Sequence, residues 1–208
     1  MAIHPLIEQD KDYIISLRRW FHSHPELSMK EFETAKRIEK ELNAIGIPTF
    51  RVGATGVLGV LKGRKGPGRR VVLRADTDAL PIQDEKTVPY ASQCPGVMHA
   101  CGHDAHTAAL LGAARALIND AGVYAEAAPV IERVVGKGNL VPKELSLGGD
   151  DMAEIMAVVP GVYAFVGSGS EAVPGSRLAH HTPGFDIDER CLPIAAGLYV
   201  ESALSWLK

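Results

Sequence analysis

Between positions 99 and 106 the chain reads His-Ala-Cys-Gly-His-Asp-Ala-His, which puts three imidazoles, one thiol and one carboxylate in eight consecutive residues. Cys101 and His103 stand two apart, so across an extended turn both side chains can face the same way. Thiolate and imidazole both suit zinc or another borderline divalent ion. Asp104 and His106 could bridge a second ion, or orient the ligands through hydrogen bonds. A lone Cys-x-His is more often a polar loop with chance histidines; five such groups packed together favour a metal site.

Two further clusters lie elsewhere in the chain. Arg74-Ala75-Asp76-Thr77-Asp78 places two acids two apart at the end of an aliphatic run, where they can aim at one point in space. They would serve as metal ligands or as holders of ligand imidazoles, although Asp is also common at a plain strand-to-turn junction. His180-His181-Thr182-Pro183 precedes a final apolar segment. One of its imidazoles could supply a ligand from the far end of the chain, or both could simply be exposed.

The elements that must carry these clusters follow from periodicity. Apolar residues from Ile7 to Phe21 recur at helical spacing, and the helix should end near His24-Pro25. A second amphipathic helix is expected from Lys30 to Ile45, with Gly46 as its stop. Val57–Leu61 and Val71–Leu73 read as neighbouring strands, the second delivering Asp76 and Asp78 as it leaves the core. Pro81–Ala100 reads as a loop and Ala105–Leu117 as a small-residue helix suited to close packing on a sheet. Helices are expected at Tyr124–Val135, Asp150–Val158 and Leu192–Leu207, and a buried strand at Val162–Val166. Strands alternating with helices predict an α/β sandwich. The passage from Ile118 to Gly122 runs from one expected helix almost directly into another, with no strand between.

Composition narrows the function classes. The sequence is 46% hydrophobic and 23% charged, ordinary values for a globular domain. A net charge of −3 argues against nucleic acid as a partner. No apolar run approaches the roughly 20 residues needed to span a bilayer, and the N-terminus has no basic-then-apolar signal pattern. A cytoplasmic protein without a membrane partner is therefore expected. Three cysteines do not make a disulfide framework.

The three clusters, in this order, resemble the aminoacylase and carboxypeptidase superfamily of metallopeptidases. The branch they look most like contains hippurate hydrolase and the N-acyl-amino-acid amidohydrolases. The resemblance starts at RRWFHSHPELSMKEFETAKRI, continues through LRADTDALPI and MHACGHDAHTAALLGAARAL, and resumes at LGGDDMAEIMAVVPGVYAFVGSG and HHTPGFDIDERCLPIAAGLY, nearly the whole chain. It implies a zinc-exopeptidase-like three-layer α/β sandwich with a central mixed sheet. It also implies Cys101, His103 and His181 as metal ligands, and Asp76, Asp104 and His106 as supporting groups or further ligands. Asp78 would be a possible support for catalysis, and Gly149 and Asp150 would line the substrate, with Asp150 standing where relatives usually carry Glu. The metal would be zinc or manganese, or cobalt, with two ions in a complete relative and one or fewer here. The substrate would be an N-acyl amino acid or a small peptide.

The same resemblance exposes what is missing. Relatives follow the GAARAL segment with a strand ending in a Glu-Glu pair, one Glu a general base and the other a ligand, and then a Gly-x-His ligand motif and a lid domain that mediates dimerisation. Between Leu117 and Gly148 the carboxylates are Asp120, Glu126, Glu132 and Glu144, none of them adjacent to another. The expectation is a single truncated catalytic domain over 1–208. Its parts 1–117 and 118–208 would join across an internal deletion, without a lid-mediated dimer. Loss of the base predicts a hydrolase slowed by about 10²–10⁴-fold, or a metal-binding remnant without turnover.

Overall fold

The computed structural model describes residues 5–61, 70–119 and 165–206. In chain order these form α1 (Pro5–Gln9), α2 (Lys11–Ser23), α3 (Phe32–Ala44), β1 (Thr49–Val52), β2 (Gly56–Gly59), α4 (His103–Asn119), a 3-10 turn (Pro174–Arg177) and α5 (Cys191–Trp206). The expected first helix is thus two helices, parted at Asp10. The expected helix at Ala105 begins two residues earlier and runs on to Asn119, through the junction at Leu117–Ile118. The segments Tyr124–Val135 and Asp150–Val158, most of Val162–Val166, and both Gly149 and Asp150 lie outside the described residues.

Local sequence explains where the elements stop. α2 ends at Ser23, one residue before the pair His24-Pro25, because a residue preceding proline is pushed out of the helical region. α3 closes on Gly46, whose φ of +80° is the left-handed conformation glycine adopts freely. Gly46 N donates to Asn43 O at 3.0 Å and Ile47 N to Leu42 O at 2.9 Å, the paired bonds of a Schellman cap. Leu42 and Ile47 are both buried, which supplies the apolar contact that usually accompanies it.

Among the described residues the core is built mainly from helices. α4 lies against α2 and α5, and Ala108, Ala109, Ala113 and Ala116 of α4 are buried with Ile14, Leu17 and Phe21 of α2 and Leu192, Ala196 and Val200 of α5. Small side chains let the helix axes approach. At Gly112 a Cβ would fall 2.6 Å from the Ile14 side chain, closer than carbon atoms can pack. The small-residue helix therefore packs on two helices among the described residues, where a sheet had been expected.

β1 and β2 form an antiparallel hairpin in the register Thr49↔Gly59 and Phe50↔Leu58. One face rests on α3, where Gly59 sits against Leu42 and Ile47. The other shows Phe50, Val52 and Leu58 to solvent. Val71–Leu73, expected as a strand, pairs with no other strand among the described residues, and Val72 is 85% exposed. A strand is defined by its ladder partners, and none of the described segments supplies one here. Further along, Ala79 and Leu80 make isolated bridges with Leu27 and Met98. These pin the residues just after Asp78 to the rest of the molecule. The coarse α/β character holds; the three layers are not laid out among the described residues. No described helix is long and apolar enough to cross a membrane.

Candidate metal centre

Asp76, His103 and His106 each offer one ligand atom to a common space, all within 4.8 Å of one another. Helix α4 does half of this work. His103 is its first residue and His106 follows by three, so the two imidazoles share a face, with ring centroids 5.5 Å apart. The 74–78 segment does the rest. Thr107 Oγ1 donates to Asp76 O at 2.9 Å and fixes that segment alongside the helix. Arg74 Nη1 reaches Asp76 Oδ1 at 2.7 Å, while Asp76 Oδ2 lies 3.4 Å from His103 Nε2.

Asp78 orients the central imidazole. His103 Nδ1 is 2.8 Å from Asp78 Oδ1 and 3.0 Å from Asp78 O. With both acceptors on Nδ1, that nitrogen carries the proton of the neutral ring, and Nε2 is directed to the space beside Asp76, the usual arrangement of a metal-binding histidine. Burial disfavours the charged ring, but a hydrogen bond with Cys101 and the charges of Cys101, Asp76 and Asp78 outweigh it, and the His103 pKa is raised to about 9. His106 moves the other way: burial and the neighbouring His103 lower its pKa. An acid, two imidazoles and an adjacent thiol, one imidazole locked by a carboxylate, fit a divalent cation of the zinc or manganese kind.

The far-end cluster arrives at the same loop. His181 N donates to Ala100 O at 2.9 Å, and His181 holds a left-handed φ of 66°, so its backbone is docked one residue from Cys101. The His181 side chain is exposed, and the His180 ring lies 4.6 Å from that of Phe185. The structure thus brings the His180–His181 segment to the Cys101 turn, while the ligand group it assembles contains Asp76 and His106 beside His103.

Asp104 turns away from this space. It is buried, and its Oδ2 receives Arg18 Nε at 2.9 Å and His22 Nδ1 at 2.6 Å. Burial opposes its charge, yet Arg18 and His22 hold its carboxyl well below the usual range. Arg18 also donates to Asp186 at 2.8 Å and approaches Glu189 at 3.4 Å. On its other side His22 faces Asp84 at 3.4 Å, and Asp84 accepts from the Ser92 and Lys86 backbones. His99 is fully buried nearby, and burial lowers its pKa to about 4, so it is neutral near pH 7. Arg18 and His22 were missed as candidates. Their signal was present: Ile14, Leu17, Arg18, Phe21 and His22 form one buried stripe of α2, so two ionisable residues occupy core positions of an amphipathic helix.

A site of this kind could hold a divalent cation, and the likeness to known proteins points the same way. Residues 72–119, which hold the Asp76, Asp78, His103 and His106 constellation, match the model of Peptidase family M20/M25/M40. The chain is 50% identical over 111 residues to the N-acyl-L-amino acid amidohydrolase of Geobacillus stearothermophilus, covering 53% of this chain and 30% of that protein. It is 46% identical over 116 residues to thermostable carboxypeptidase 2 of Saccharolobus solfataricus, covering 55% and 29%. Among solved structures it is similar to the Bacillus subtilis YXEP protein, described as a dinuclear metal binding peptidase from the M20 family. That match has 44% identity and a TM-score of 0.52, and covers 54% of this chain and 32% of that one. The resemblance read from the motifs is borne out over about half of the chain, and the chain spans only about a third of the length of these relatives.

Proposed function

We propose that this chain is a metal-dependent amidohydrolase of the M20 type, cleaving the amide bond of N-acyl amino acids or small peptides. The observation that carries the reading is the convergence of Asp76, His103 and His106 with Asp78 locked on His103, inside the segment that matches the family. Asp76, His103 and His106 would hold a zinc or manganese ion, with Cys101 and His181 the further ligands that the resemblance implies. When bound, the ion supplies Lewis acidity toward the amide carbonyl and lowers the pKa of a water molecule. The protein's own contribution is orientation: Asp78 keeps the His103 Nε2 lone pair available, and Thr107 holds the Asp76 backbone in register with α4. Gly149 and Asp150 are read as substrate-side residues. The three-layer sandwich is retained as the reading of the fold, because the hairpin leaves an apolar face, Phe50, Val52 and Leu58, free for a second layer.

The sequence contains no adjacent Glu-Glu pair, so a proton acceptor has to come from another carboxylate. That feature supports the second reading, a metal-binding protein with little turnover. Purified protein loaded with manganese or zinc, assayed on hippurate and on several N-acetyl-amino acids with and without chelator, separates the two. The proposal expects metal uptake and chelator-reversible hydrolysis. Metal uptake without hydrolysis supports the remnant, and a chain that takes up no metal overturns both.

A further inference from the structure

We infer that Arg18 and His22 are positioning residues for the candidate metal centre, setting its two half-sites against each other through Asp104 and Asp186; this rests on the metal-binding reading above. The His103 ring can be no better placed than the backbone that carries it, and that backbone follows Gly102, which turns at φ +87°. The next residue, Asp104, is the one held. Its Oδ2 is gripped from α2 by Arg18 Nε at 2.9 Å and His22 Nδ1 at 2.6 Å, with all three side chains almost fully buried. The first turn of α4 is thus tied inward at Asp104 and outward at His103, where Asp78 takes Nδ1.

The same guanidinium reaches the other half-site. Arg18 Nη2 donates to Asp186 Oδ1 at 2.8 Å, and Asp186 stands five residues after His181. A guanidinium is planar and rigid, so the separation of Asp104 from Asp186 is set by one small group. Between those anchors, His181 N closes on Ala100 O at 2.9 Å. Arg18 therefore ties together two segments far apart in sequence, one bearing His103 and His106 of the centre and the other His181, the further ligand that the resemblance implies. Lysine cannot reproduce this, because one ammonium on a flexible stem does not hold two carboxylates in fixed directions.

An ion network that serves only the fold would change stability and leave metal affinity of the folded protein alone. The test titrates manganese and zinc against a competing chelator, using the full chain and three variants whose folding is checked by circular dichroism without metal. Arg18→Lys and His22→Phe are expected to lose about 10–100-fold in metal affinity, the usual effect of removing groups that orient ligands. His22→Asn, whose amide can donate from near the Nδ1 position, should recover most of that loss. If Arg18→Lys does not fold, the two His22 variants decide the matter. Folded variants that bind both metals as tightly as the parent overturn the inference and leave the functional reading intact. A parent that binds neither metal overturns both.

Discussion

One turn of helix, at the start of α4, has two sides with opposite chemistry. Asp104 faces inward and meets a guanidinium and an imidazole in a dry interior. His103 and His106 face outward beside Asp76, their candidate ligand atoms all within 4.8 Å of one another. The inner side draws a guanidinium, an imidazole and carboxylates into direct buried contacts, with Asp104 Oδ1 and His22 Nε2 the buried atoms left without a hydrogen-bond partner. The outer side gathers two imidazoles and an acid around one space, where the raised pKa of His103 keeps a proton on Nε2 near neutrality until a metal ion displaces it. Adjacent residues in one motif thus do different work, and direction rather than proximity in sequence separates them.

Substitutions should break this contrast cleanly. The largest expected effect is on the inner side: Asp104→Ala leaves Arg18 and His22 buried with one carboxylate fewer. Breaking a buried ion pair by removing one partner costs about 3–5 kcal/mol, which denaturant unfolding of the metal-free protein would register directly. On the outer side, Asp76→Ala removes partly buried contacts with Arg74 and His103, and its effect on metal-free stability should stay well below that of Asp104→Ala. Metal binding, by contrast, should vanish from a protein that still folds. If Asp76→Ala proved as destabilising as Asp104→Ala, the division between the two sides would be wrong.

A finer test lies between them. Asp78→Asn keeps the shape of the side chain that holds His103 but removes its charge. An orienting partner of this kind is expected to contribute about 10–100-fold in metal affinity, readable by chelator competition. Thermal unfolding without metal should move little. An unchanged affinity would mean that the Asp78 carbonyl, 3.0 Å from the same nitrogen, is sufficient to fix the ring.

Much of this was legible in the sequence, and the parts that were not have physical reasons. The His- and Cys-rich string, the loop at Pro81–Ala100, the stop at Gly46 and the final helix are local signals, set by a few neighbouring residues. The inward direction of Asp104 was not readable, because it depends on where α4 begins. With a start at Ala105, Asp104 belongs to a loop; with the start at His103 it sits about 100° around the helix from its neighbour, while His103 and His106 align. The pairing of Val71–Leu73 depends on partners distant in the chain, which periodicity cannot name. Arg18 and His22 passed as ordinary polar residues of an amphipathic helix, since their carboxylate partners, Asp84, Asp104, Asp186 and Glu189, all lie far along the chain.

Between pH 6.5 and 9 a pH dependence should belong to the outer side alone. In the metal-free protein His103 has its pKa raised to about 9, from an ordinary 6.5, so near neutrality the ring carries protons on both nitrogens. A metal ion must displace the Nε2 proton. Affinity should therefore climb about tenfold per pH unit, the worth of one proton, and level off near pH 9. The stability of the metal-free protein should run the opposite way. A histidine with a raised folded pKa contributes stability that is fully present below about 6.5 and is lost as pH rises through about 9. Asp104, held far below its usual range, stays ionised throughout that window and adds no slope. In Asp78→Asn, one of the charges that raises the His103 pKa is gone, and the levelling-off should move to lower pH. Chelator-competition titrations at several pH values measure this directly. An affinity that does not change between pH 6.5 and 9 would mean that His103 is not the group the metal displaces a proton from.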